Sequence, residues 1–149
     1  MSAGESLAVA LTLAAGAAGS VQVAVLGRFG DRIGIVPAFA FSTAVTAAIG
    51  FLVLLAARRS LSGYSAAVHQ PAWLWTAGAM GAIIVFTITL AAPRIGATAT
   101  VGIFVFAQFA TSVVIDRFGL FGLERIPIQW PRAVGLVLLG VGAALTLRR

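Results

Sequence analysis

The sequence predicts an all-α integral membrane protein with five transmembrane helices. Three observations carry that expectation. First, 60% of the 149 residues are hydrophobic and only 9% are charged, with a mean hydropathy of +1.07; a soluble domain carries about 25% charged residues. Second, the charges sit in short intervals between apolar runs, each near the roughly 20 residues needed to cross a hydrocarbon core about 30 Å thick. Third, the runs are unbroken, whereas barrel strands alternate over about ten residues, so helices are the form in which the backbone can satisfy itself in lipid. Disorder is excluded by the same hydrophobicity.

Span one covers 7–27 and ends at Arg28-Phe29-Gly30-Asp31-Arg32, which reads as a tight polar turn. Span two covers 33–57. The segment 58–71 reads as a longer loop with Ser60, Ser62, Gly63, Tyr64 and Ser65. Span three covers 72–92, and Pro93-Arg94 separates it from span four at 95–115. The connection 116–131 is partly apolar, and Phe118, Leu120, Phe121, Leu123 and Ile126 are expected to lie along the membrane interface. Span five, 132–147, is the shortest. Pro131 suits the first turn of its helix, and Arg132 and Arg148 can reach the headgroups from its ends. Trp73, Trp75 and Trp130 fall at span ends, as an aromatic belt does. Glu5 stands where a secretory signal would be basic, so the first run reads as a span. The expectation is a single transmembrane domain over 1–149.

The residue inventory excludes most chemistry. There is no Cys and one His, His69, so disulfides, thiolate sites and a histidine metal cluster are not expected. The net charge of +6 comes wholly from arginine. These arginines are spread thinly between apolar runs, as in membrane loops, and do not form a nucleic-acid face. Apart from Arg132 at the very start of the fifth, no span contains Asp, Glu, His, Lys, Arg, Cys or Tyr. No catalytic residue, metal site or cofactor is expected, and a proton-coupled exchanger with a carboxylate in its first helix is disfavoured.

The polar candidates are two amides, Gln22 and Gln108, each well inside a span. A primary amide facing lipid is costly, so both are expected to face protein or a cavity. Gln108 shares a helical face with Phe104, Thr111 and Ser112, at offsets of three and four. Gln22 shares one with Ala15, Ala18, Gly19 and Leu26. Substrate contact and interhelical hydrogen bonding both remain open, the latter leading for Gln22. Asp116, directly after span four, reads either as a pathway mouth or, preferably, as a loop cap paired with a nearby arginine. Ala15/Gly19, Gly16/Ser20 and Gly78/Ala82 are small-xxx-small pairs of the kind found at close helix contacts, and Gly135, Gly140 and Gly142 thin the last helix.

Five spans divide the arginines equally. Arg58, Arg59, Arg117, Arg125 and Arg132 fall on one side, and Arg28, Arg32, Arg94, Arg148 and Arg149 on the other. Arginine asymmetry sets orientation. A tie leaves two readings: other signals fix one orientation, or the chain inserts both ways and pairs as an antiparallel dimer, an inverted repeat of the sort transporters place around a midplane site.

A resemblance then emerges from the second half. Trp73-Leu74-Trp75 leads into Ala77-Gly78-Ala79-Met80-Gly81-Ala82. Pro93-Arg94-Ile95-Gly96-Ala97, Gln108 and Ile115-Asp116-Arg117-Phe118-Gly119-Leu120-Phe121-Gly122 follow, then Pro127, Pro131-Arg132, Gly135, Leu138-Leu139 and Gly142. This pattern resembles the YdcZ-type family of the drug/metabolite transporter superfamily. The first half agrees through Gln22 and Gly27-Arg28-Phe29-Gly30, with Leu26 where that family usually has Asn, Ala107 where Gly commonly precedes the second glutamine, and Ala77-Gly78 in place of Gly-Gly. The resemblance implies a five-helix half-unit of a ten-helix transporter, moving small molecules across a prokaryotic inner membrane. It supplies no substrate.

Together these readings give a transporter subunit working as an antiparallel homodimer, or with a related five-helix chain, by alternating access. Gln22, Phe104, Gln108, Thr111 and Ser112 would line its cavity. With no charge in the spans, neutral or amphiphilic substrates fit better than inorganic ions. A non-transporting membrane scaffold and a lipid-carrier flippase are the alternatives.

Overall fold

A computed structural model describes residues 3–58, 60 and 62–147. Arg59, Arg148 and Arg149, counted above in the arginine tie, lie outside the described residues. Among those described, the chain is helical and has no strand. Six α-helices follow in order: α1 (Ala3–Ile33), α2 (Ile35–Arg58), α3 (Ser62–Val68), α4 (Thr76–Ile95), α5 (Ala97–Phe118) and α6 (Trp130–Thr146). Single 3-10 turns occupy Ala72–Trp75 and Leu120–Gly122.

Among the described residues, four segments are long and apolar enough to cross a membrane: Gly4–Ile33, Ile35–Arg58, Ala72–Ile95 and Ala97–Phe118. These correspond to the first four expected spans. Helix α6 has 17 residues and is a shorter apolar helix. At 1.5 Å per residue it is about 25 Å long, some 5 Å less than the usual hydrocarbon core.

The helix boundaries depart from the sequence reading in physically clear ways. The Arg28–Arg32 segment is not a turn: α1 continues through it for 31 residues in all. Charge ends a bilayer span without ending a helix. What ends this one is Gly34, with φ +91, a conformation glycine adopts without the steric cost of a β-carbon. Likewise Pro93 and Arg94 lie inside α4, and the break falls at Gly96 (φ 87, ψ 154). Pro93 costs one backbone hydrogen bond near the helix end, but only Gly96 leaves helical space. The expected loop 58–71 contains the short helix α3, whose Tyr64 ring meets Phe51 of α2 edge-on at 5.8 Å. Helix α5 runs past the expected end to Phe118 and closes on Gly119, whose φ of 62 and ψ of 39 form a left-handed cap. Pro131 does stand in the first turn of α6.

The chain divides into two compact units, Met1–Val23 with Arg94–Arg149, and Ala24–Pro93. In the second unit, the end of α1 packs against the end of α4. A β-carbon on Gly27 would meet Ala92 Cβ at 2.9 Å, and one on Gly30 would meet Thr89 Cγ2 at 3.1 Å. As the number rises along α1 it falls along α4, so the helices run antiparallel at this contact. Thr89 is fully buried, and its hydroxyl donates to the Val85 carbonyl at 2.8 Å. Edge-on ring pairs, Phe29–Phe41 at 5.8 Å and Phe39–Phe86 at 5.6 Å, join α1 to α2 and α2 to α4. In the first unit, α5 and α6 are antiparallel neighbours. A β-carbon on Gly102 would lie 3.5 Å from Thr146 Oγ1, and one on Gly140 would lie 3.0 Å from the Phe106 ring.

These contacts correct the reading of the small residues. Gly16, Gly19, Gly78, Gly135 and Gly142 have no atom within 4 Å of a would-be β-carbon, apart from their own helix backbone and chain neighbours. The close approaches are made by Gly27, Gly30, Gly102 and Gly140. Spacing alone identifies small faces, and only the packing partner distinguishes those that are used.

Candidate functional site

The site is built on α5. Residues three, four and seven apart on a helix share a face, and this places Phe104, Gln108, Thr111 and Ser112 together. An open depression of about 630 Å³ is lined by these four residues and by Val105, Ala107 and Phe109. Every described lining residue belongs to α5. Four of the five residues expected at a cavity therefore share one depression. The fifth, Gln22, is exposed on α1 and does not line it.

The polar groups of the depression are uncommitted. Many hydroxyls within the helices bond back to the preceding turn, as Thr12 does to the Ala8 carbonyl at 2.8 Å, Thr43 to Phe39 at 3.0 Å and Thr100 to Gly96 at 2.8 Å. Among the described residues, Gln108, Thr111 and Ser112 have no side-chain hydrogen-bond partner, and all three are exposed. An amide and two hydroxyls offer both donors and acceptors. None carries charge, so the depression can hydrogen-bond a neutral polar group and stack aromatic or alkyl surface on Phe104 and Phe109.

A second, apolar groove of about 410 Å³ lies between α5 and α6. Val101, Gly102 and Val105 line one wall, and Leu138, Leu139, Gly142 and Ala143 the other. Val105 lines both spaces. Sequence reasoning missed Val105, Ala107 and Phe109. Val105 is three residues before Gln108 and was legible from helical spacing, whereas Phe109 is adjacent to Gln108 and was not.

Asp116 ends up as a clamp. Arg132 Nη1 donates to its Oδ2 at 3.2 Å, with the two side chains 33% and 39% exposed for Asp116 and Arg132. Its backbone carbonyl also accepts from the Ile126 amide at 2.9 Å. The start of α6 and the returning loop are thereby tied to the end of α5. Among the described residues, no group of three or more His, Cys, Asp or Glu side chains could hold a metal ion.

A family model described as "Putative inner membrane exporter, YdcZ" matches residues 7–145. The chain belongs to the YdcZ family. No curated protein and no solved structure matches the chain significantly. YdcZ is described as an exporter family of the inner membrane and not as an enzyme family, in keeping with a multi-pass helical chain. The match spans the α5 depression, the α5–α6 groove and the Asp116–Arg132 pair, so all three lie within the YdcZ segment.

Proposed function

We propose that this YdcZ-family chain is a transporter subunit that works as an antiparallel, dual-topology dimer by alternating access. In this reading α6 is the fifth span, the chain is one five-helix membrane domain, and two copies make the ten-helix unit. A span some 5 Å short is accommodated by local bilayer thinning and by Arg132 reaching the headgroups.

One observation carries the reading. Among the described residues, the depression on α5 presents Gln108, Thr111 and Ser112 without side-chain hydrogen-bond partners, and its described lining comes from one helix alone. Uncommitted polar groups at bilayer depth need an aqueous pathway, a substrate or a second chain. A second copy facing α5 encloses the depression and brings its own Gln22 or Gln108 to it. The arginine tie supports insertion in both orientations. Asp116, held by Arg132, then edges the pathway mouth as a structural clamp.

Topology tests this directly, because the chain has no natural cysteine. Single cysteines at Ser2→Cys and Arg149→Cys are labelled in intact cells with an impermeant thiol reagent. Labelling of about half the molecules at each end is expected. Full labelling at one end and none at the other excludes dual topology. Flux of neutral and amphiphilic solutes in proteoliposomes tests transport separately.

A further inference from the structure

The geometry points to a single-tailed, neutral amphiphile as the ligand of α5, its head at Gln108 and Ser112 and its tail in the α5–α6 groove. This rests on the reading of the α5 depression as the substrate site, and it names the substrate class.

Val101, Val105, Gln108 and Ser112 stand at offsets of four, seven and eleven, so they form one stripe along α5. The stripe is about 16 Å long at 1.5 Å per residue. Its polarity changes once. The end at Val101 and Val105 opens into the groove walled by Leu138 and Leu139. The end at Gln108 and Ser112 opens into the depression with uncommitted donors and acceptors. The two spaces meet at Val105, which lines both. A compact polar solute would leave the groove unused, and a plain hydrocarbon would leave three polar groups unsatisfied. A molecule with one neutral hydrogen-bonding head and one alkyl tail satisfies both ends. Among the described residues, no ionisable side chain lines either space, so a charged head finds no counter-ion there. Leu138 is 64% exposed, which leaves the groove open sideways, and the ligand enters from the bilayer. Gly142 lines the groove, and a β-carbon there would meet no atom within 4 Å beyond its own helix backbone and chain neighbours, so a side chain can start at this position without displacing protein.

The test uses the full chain in nanodiscs and two photoreactive probes. One is a monoacylglycerol with a diazirine at the tail end, and the other is a tailless diol with the same head. The tailed probe is expected to label the 138–143 segment of α6 saturably, with unlabelled monoacylglycerol cutting that labelling at least tenfold. Gly142→Leu is expected to cut tail labelling at least fivefold while labelling of 108–112 by the tailless diol persists. Leu139→Trp blocks the same groove if G142L lowers folded yield. Labelling of 138–143 that neither competitor nor variant reduces is bulk lipid only and overturns the inference. Competable labelling of 108–112 by the diol, with no competable tail labelling of α6, overturns the amphiphile but leaves the α5 site standing. No competable labelling of α5 or α6 by either probe overturns both.

Discussion

Gly27 of α1 lies against Ala92 of α4 so closely that a β-carbon on the glycine would come within 2.9 Å of the alanine's. One turn on, Gly30 stands at the same kind of contact with Thr89, at 3.1 Å. Both partners are buried, Ala92 at 7% and Thr89 at 0% exposure, so neither has room to retreat. Gly27→Leu therefore forces the helices apart. Overpacking of this kind costs about 1–3 kcal/mol, partly offset by the roughly 1 kcal/mol gained when glycine leaves a helix interior. Gly16→Leu, at a position where a β-carbon would meet nothing within 4 Å beyond its own helix backbone and chain neighbours, is expected to hold or slightly raise stability. Thermal unfolding in detergent, followed by tryptophan fluorescence, compares the two. Equal midpoints for G27L and G16L would remove the α1–α4 contact as a stabilising feature.

Gly34 and Gly96 each form a one-residue break between long helices, with φ +91 and +87. At Gly96 the accompanying ψ of 154 is a region essentially closed to residues with a β-carbon. Gly96→Ala is expected to destabilise by about 1–3 kcal/mol. No atom stands within 4 Å of the new carbon, so the loss is backbone strain alone. Gly50→Ala, at an equally open position in mid-α2, is the control and is expected to be neutral or stabilising. A G96A protein as stable as its G50A counterpart would contradict the strained geometry.

The sequence made the helices legible and left their ends obscure, for one physical reason. Hydropathy reports where a chain can sit in lipid, while a helix stops where its backbone must leave helical space. Arg28, Asp31 and Arg32 marked the end of an apolar run, but Gly34 marked the end of α1. Pro93-Arg94 looked like a linker, but Gly96 was the break. On α5 the helical period alone brought Phe104, Gln108, Thr111 and Ser112 together, since a shared face needs no tertiary partner. Gln22 lies on another helix, and its relation to that face is a tertiary matter on which helical period is silent. The α5–α6 groove was equally hidden, because it depends on the register that sets Gly102 beside Ala143.

Arg132 and Asp116 form a partly exposed pair, and such pairs contribute about 0–1 kcal/mol. Asp116→Asn is thus expected to lower stability by less than about 1 kcal/mol, since the Ile126 amide still bonds to the backbone carbonyl of residue 116. Transport by D116N should stay within threefold of the parent rate. Proteoliposome flux alongside the unfolding midpoint checks both. A tenfold loss of flux at unchanged stability would promote Asp116 from clamp to participant in the pathway.

Gln108 is where a fold effect and a function effect should separate most cleanly. Its amide bonds to none of the described residues and is exposed, so Gln108→Leu breaks no hydrogen bond among them. The substitution also removes the cost of an unpaired amide at bilayer depth. Stability should therefore hold or rise. Transport should move the other way, because Gln108 offers the depression both a donor and an acceptor, and a hydrogen bond lost from a dry site is worth about 1–3 kcal/mol. That corresponds to a loss of about fivefold to 150-fold in initial rate. Gln22→Leu is measured alongside: Gln22 does not line the depression of its own chain, so a loss of flux in Q22L reports what the partner copy contributes. If Q108L lowers stability and flux together, the amide is packing glue between two copies. If it lowers flux alone, the amide meets the substrate.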